Sequence, residues 1–208
     1  MAEVRSEYEK ALMGATMPAG KRKVLLAALQ LFAKQGFDRT TTAEIAKEAG
    51  VSEGLIYKYF KSKDSLLEDI SKSFYDQFRN TFLEGVGEYA TLDDLVTAFM
   101  RDRLNFAREN FALIRIIGQE VFMNPSFIRT AIANVVVNSG HINKYIAEIK
   151  AKYPDANPDL NPELLLRGVL GPLFSYALIT NLFHLKSDDE DGSLTNLHRQ
   201  LMLVFKGK

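Results

Sequence analysis

The stretch Thr41–Tyr59, TTAEIAKEAGVSEGLIYKY, decides the fold. Thr41 is an N-cap type of residue and Glu44 follows three positions later, the pattern of a capping box, so a short helix is predicted over Thr42 to Ala49. Gly50 supplies its stop. Ser52 offers the next N-cap and opens a second short helix through Tyr59. Two helices this short, joined through Glu48-Ala49-Gly50-Val51-Ser52, must cross steeply, which is the helix-turn-helix arrangement. An ordinary helical hairpin is the competing reading. Ile45, Ala46, Ala49, Val51, Leu55 or Ile56, and Phe60 fill the corner between the pair.

Outward from this core the pattern stays helical. Upstream, Val24, Ala28, Leu31 and Phe32 lie on one face of a helix that Gly36 ends. Downstream, Ser62 caps a helix predicted from Lys63 to near Gly85 or Gly87. Residues 1–20 are interrupted by Glu3, Arg5, Glu7, Glu9 and Lys10, so a secretory signal is not expected there, and they read as an N-terminal tail or an extra half-helix. The absence of cysteine excludes disulfides and thiolate metal sites, and a cytoplasmic location is expected.

Net charge is zero over the 208 residues, but it is unevenly placed. Residues 21–63 carry a balance of +5, residues 1–20 one of −1, and residues 64–208 one of −4. The segment with the helix pair alone has the sign needed to approach phosphates.

A recognition helix enters the major groove by its N-terminal half, so Glu53, Gly54 and Leu55 face base edges, with Tyr57 and Lys58 one turn on. Lys58 can donate to guanine or phosphate, Glu53 can accept from cytosine, and Leu55 can touch a thymine methyl. Gly54 costs about 1 kcal/mol in a helix relative to alanine, and a close approach of backbone to DNA would account for it. Thr41, Thr42 and Lys63 stand at helix starts suited to phosphate oxygens. Lys21, Arg22 and Lys23 add charge at the start of the first helix.

These residues match a known family. Val24–Leu67, VLLAALQLFAKQGFDRTTTAEIAKEAGVSEGLIYKYFKSKDSLL, closely resembles the N-terminal domain of tetracycline-repressor-like (TetR family) regulators. The matching elements are the AA..LF...GF stretch, the threonine run before IA..AGVS, the G..Y.YF block and the following SK..LL. The resemblance implies phosphate contacts by Tyr57 and Lys63, a backbone contact by Thr42, and groove-facing Glu53, Gly54 and Lys58, with Tyr59 a further phosphate contact. Leu55 departs from the pattern, standing where many members have threonine.

The expected fold is therefore all-α with about nine helices. A DNA-binding domain over 21–66 is followed by a larger effector-binding and dimerisation domain over 67–208, which the resemblance implies. Leu164–Leu185 is a nearly continuous apolar run with the small residues Gly168, Gly171 and Ser175. A helix apolar all round must be buried, so it is expected to form a homodimer with Leu194–Phe205 rather than a membrane span. Candidate lining for a small hydrophobic or amphipathic effector is Phe99, Phe106, Phe122, Phe127 and Phe174, with Arg115, Gln119, Asn138 and His141 as polar groups. Aromatic residues at helical spacing serve equally as plain core. The Asp188–Gly192 run lacks the ligand spacing of a calcium loop, and no metal or cofactor is expected. His141, His184 and His198 stand alone, with no catalytic motif. The expected function is that of a ligand-responsive repressor, released from a pseudo-palindromic operator by its effector. The alternatives are an adaptor or ligand-independent regulator on the same fold, and an enzyme with a DNA-binding appendage.

Overall fold

In the computed structural model of the chain, residues 7–82, 88–123, 140–181 and 189–207 are described. They form ten helices and, among the described residues, no strand. The contacts divide the chain into two compact units, Met1–Gln77 with Glu109–Arg129, and Phe78–Arg108 with Thr130–Lys208.

The first unit contains α1 (Glu7–Gly14), α2 (Ala19–Gln35), α3 (Thr42–Ala49), α4 (Glu53–Tyr59), the first part of α5 (Lys63–Phe82) and α7 (Phe111–Met123). The tail thus carries a helix, whose Leu12 is buried. Gly36 and Gly50 end α2 and α3 in positive-φ conformations, φ 88° and 63°, which glycine adopts without steric penalty. After Gly50 the Val51 N–H donates back to the Ala46 carbonyl at 3.0 Å, closing the turn tightly enough for α3 and α4 to cross. Val24, Leu25, Phe32, Ile45, Ile56, Leu66 and Ile70 form the packed interior. The domain boundary expected at residue 66 falls inside α5, a continuous helix, and α7 joins this unit by packing on α2. The Arg115 guanidinium donates to the Ala33 carbonyl across that contact.

On α7 the Glu120 side chain is buried, 8% exposed. Burial first, then the charges of Asp38 and Asp64, hold its carboxyl above the ordinary value of 4.5, while Lys63 opposes the shift. An acid raised in the folded state binds its proton more tightly there than when unfolded. Stability therefore falls as pH rises through the window that begins at 4.5. Glu120→Gln is expected to melt above the wild type at pH 7. That advantage should vanish below the ordinary carboxylate range, as calorimetry at pH 7 and pH 4 would show.

The second unit contains α6 (Leu92–Glu109, up to Arg108), α8 (Gly140–Lys152), α9 (Pro162–Asn181) and α10 (Glu190–Lys206). Its core gathers Leu95, Val96, Phe99, Tyr145, Ile149, Val169, Leu201 and Phe205. The proline-marked loop after α8 is tied down by Asn157, whose N–H donates to the Phe205 carbonyl at 2.7 Å and whose side-chain amide donates to the Val204 carbonyl at 2.9 Å. Helix α9 has one π turn, Leu166–Leu170, just ahead of Pro172. A proline ring clashes with the carbonyl four residues back, and the wider turn relieves that crowding. A Cβ on Gly168 would lie 2.5 Å from Val204 Cγ2, so this glycine admits α10.

The apolar run was expected to be buried in a homodimer together with Leu194–Phe205, and the single chain buries only part of it. Within the single chain Leu165, Val169, Leu173 and Ala177 are buried, one per turn, while Phe174 and Ile179 on α9 and Leu203 on α10 are exposed. One stripe of α9 thus suffices for this unit's own core. By length and composition alone Pro162–Asn181 could also cross a bilayer.

Candidate nucleic-acid interface

The helix pair presents a polar outer face. Ser52, Glu53, Gly54, Tyr57 and Lys58 are exposed, with Tyr57 53% accessible, whereas Ile56 and Phe60 point inward. The alternation follows from the helical repeat: Ile56 and Phe60 lie one turn apart on the face that meets α2 and α3.

Thr42 organises this face. Its hydroxyl donates to Glu53 Oε1 at 2.5 Å and lies 3.2 Å from the Tyr57 hydroxyl, so three candidate contacts on two helices form one hydrogen-bonded group. Thr41 is held differently. Its N–H donates to Glu44 Oε2 at 2.8 Å and its hydroxyl accepts from the Glu44 N–H at 3.2 Å, completing the capping box. The Thr41 N–H, and the Thr41 hydroxyl that donates to the same Glu44 Oε2 at 2.9 Å, hold the Glu44 carboxyl below its ordinary range. Ser52 occupies the N-cap position of α4 with extended backbone, but its side chain makes no cap hydrogen bond, contrary to the sequence expectation. Glu53, the first helical residue, turns to Thr42 instead, and the Leu55 N–H closes on the Ser52 carbonyl at 3.0 Å.

Three of the expected cationic contacts are engaged within the protein. Lys63 Nζ donates to the Phe37 carbonyl at 2.7 Å and the Asp38 carbonyl at 3.3 Å, and sits 4.3 Å from the centre of the Phe37 ring. Lys21 pairs with Asp69 at 2.9 Å beside the Phe60 ring. Arg22 donates to the Leu12 and Ala15 carbonyls at 2.9 and 2.6 Å, fixing the end of α1. Lys23, Lys47, Lys58 and Lys61 are exposed. Lys47 and Lys61 were not singled out in the sequence, where charge alone gives no sign of which lysines the fold leaves exposed.

Leu55 is half-buried against the start of α2. A Cβ on Gly20 would lie 2.9 Å from Leu55 Cδ2 and 3.6 Å from the Tyr59 ring, so a glycine at the start of α2 accommodates both side chains. Gly54 differs: the nearest atom to a Cβ there is Ser52 Oγ at 4.0 Å, so nothing inside the chain demands glycine.

Of the candidate effector residues, the side chains of Phe99, Phe106, Arg115, Gln119 and Phe174 are described. Phe99 is a core residue with its ring edge-to-face on Phe205 at 5.9 Å. Phe106 lies under the buried Arg103 guanidinium at 5.3 Å. Arg115 and Gln119 are exposed on α7, and Phe174 is exposed on α9. Phe127 and Asn138 lie outside the described residues, as do the side chains of Phe122 and His141.

Residues 24–70 match the family described as bacterial regulatory proteins, tetR family. The fatty acid metabolism regulator protein of Bacillus subtilis (strain 168) is 36% identical over 121 residues, covering 58% of this chain and 61% of that protein. The structure is similar to that of the fatty acid degradation regulator FadR from Bacillus halodurans, with a TM-score of 0.71 at 18% identity, covering 93% of this chain and 98% of that one. It is also similar to Bacillus subtilis FadR in complex with stearoyl-CoA, with a TM-score of 0.63 at 19% identity over 89% and 98% of the two chains. Over residues 24–70 the chain thus resembles the tetR family of bacterial regulatory proteins, its fold is similar to that of such regulators, and it spans less than two thirds of the length of the curated relatives it matches.

Proposed function

We propose that this protein is a homodimeric repressor that releases its operator when it binds a small effector. The observation that carries this reading is the exposed group Thr42–Glu53–Tyr57 beside Lys58, on a tight helix pair within the basic segment of the chain. Two copies would set their α4 helices into successive major grooves, about 34–36 Å apart, on a pseudo-palindromic site. Ser52, with its hydroxyl clear of the cap, and Gly54, with open space above it, allow the DNA backbone to come close. Tyr57, Lys58 and the remaining proton of Lys63 serve phosphates or base edges; Leu55 and Tyr59 serve mainly to seat α4.

The test is fluorescence anisotropy with the chain's own upstream DNA and a scrambled duplex across a salt series. Lys58→Ala is expected to weaken binding and to flatten the salt dependence by about one unit. Full affinity with an unchanged slope would remove Lys58 from the interface. Absence of salt-dependent binding by the wild type would overturn the regulator reading.

For the effector we propose an amphipathic molecule with a long acyl chain, with a coenzyme A ester as the first one to test. The supporting observation is the likeness to the fatty acid metabolism regulator, whose 121 aligned residues extend well beyond the segment 24–70. Effector binding would favour a conformer in which α5, beginning at Lys63, shifts the spacing of the two recognition helices, so the ligand draws the population off DNA.

A further inference from the structure

Ser71 and Tyr75 stand one turn apart on α5 and therefore share a face. Their side chains are almost wholly buried, at 2% and 5% exposure, and neither hydroxyl oxygen has a hydrogen-bond partner among the described residues. Other hydroxyls in the molecule resolve the same problem simply. Ser73, on another face of α5, donates back to the Asp69 carbonyl at 3.2 Å, and the buried Tyr153 donates to the Tyr89 carbonyl at 2.9 Å. A buried hydroxyl without a partner is destabilising and uncommon, and two on successive turns of one helix call for a ligand group that satisfies them. Phenylalanine and alanine would fill the same space at no such cost.

Their position bears on regulation. Lys63, the first residue of the same helix, grips the Phe37 and Asp38 carbonyls at the start of the helix-turn-helix. A ligand held at Ser71 and Tyr75 acts on α5 two to three turns from that grip.

The surroundings define the chemistry of the ligand group. Burial alone pushes the Tyr75 hydroxyl up to about 12, with no charged neighbour contributing. The phenol is therefore a neutral donor, and a carboxylate brought here would be buried without a counter-charge. An uncharged carbonyl oxygen has the acceptor lone pairs these donors need and carries no such penalty.

We propose that Ser71 and Tyr75 are the polar anchor of the effector site, donating to the uncharged thioester carbonyl of a long-chain acyl-coenzyme A. This rests on the acyl-effector reading above. The experiment compares the wild type, Tyr75→Phe and Ser71→Ala, each as the full chain. Free-protein melting is measured first, then binding of stearoyl-CoA and of the thioether S-octadecyl-CoA, which lacks the carbonyl. Both variants are expected to melt at or above the wild-type temperature. Each should bind stearoyl-CoA at least about tenfold more weakly, consistent with the loss of one useful hydrogen bond. The wild type should prefer the thioester to the thioether, and each single variant should show a smaller preference. The anchor is overturned if either variant melts several degrees lower without ligand, since its hydroxyl would then already be satisfied. It is equally overturned if the wild type responds to stearoyl-CoA and both variants respond to the same extent. No response by the wild type would overturn the acyl-effector reading itself, and this anchor with it.

Discussion

Lys63→Ala is expected to lower stability by about 2 kcal/mol and to weaken operator binding at least tenfold, two losses from one ammonium group. The group reaches from the start of α5 to the Phe37 and Asp38 carbonyls and covers the Phe37 ring, which itself packs edge-to-face on Phe32 at 5.1 Å. A hydrogen bond to a charged group contributes about 1.5–3 kcal/mol, but the full sum of two is not expected here. The Thr40 N–H also donates to the Phe37 carbonyl at 3.1 Å, so that acceptor is not orphaned when the lysine is lost. For a chain of this size the change corresponds to a melting shift of roughly 4–8 °C. An ammonium has three protons, and the carbonyls use two, leaving one for a phosphate. Lys58→Ala should therefore lose DNA affinity with melting unchanged, whereas Lys63→Ala should lose both. An unchanged melting temperature for Lys63→Ala would show that the clamp contributes nothing, and unchanged DNA affinity would show the same of the contact.

The contrast between Lys58 and Lys63 marks where sequence reading stops. Both are lysines in the basic segment, and residue type and spacing suggest the same role. What separates them is where the turn at residues 36–40 brings its carbonyls, a long-range outcome that local pattern does not encode. Arg22 and Lys21 went the same way, one to the end of α1 and the other to Asp69. Caps and stops, by contrast, were legible because they are local: Thr41, Glu44, Gly36 and Gly50 each act within about four residues of their partners. Leu55 was unusual within the family pattern but could not be explained until Gly20 was seen beneath it. Ser71 and Tyr75 gave no signal at all, since a serine and a tyrosine on a long helix are unremarkable until both prove buried and without partners.

The second large effect concerns the faces of α9 and α10 that the single chain leaves uncovered. Leu203→Glu, and separately Ile179→Glu, are expected to turn a dimer into a monomer and to abolish high-affinity operator binding. Leu203 is 66% exposed and Ile179 44%, beside Phe174 at 42%. Isolated exposed apolar side chains need no explanation, but several on two neighbouring helices mark a surface that another body covers. A bilayer fits this surface less well than a second copy does. Arg167 pairs with Glu163 at 3.1 Å on the exposed side of α9, and Pro172 and the π turn interrupt the stretch. The buried stripe is engaged with α10, a helix carrying Glu190, Asp191, His198 and Arg199. In a two-fold interface each substitution enters twice, so two unpaired charges would be buried together. Each such charge costs several kcal/mol, so dimerisation should weaken by at least about 100-fold. Sedimentation velocity reads the oligomeric state directly, and circular dichroism separates dissociation from unfolding. Operator affinity should fall in step, because a monomer engages one half-site without the gain of a linked second. A dimer that survives both substitutions with its DNA affinity intact would place the interface elsewhere on the molecule.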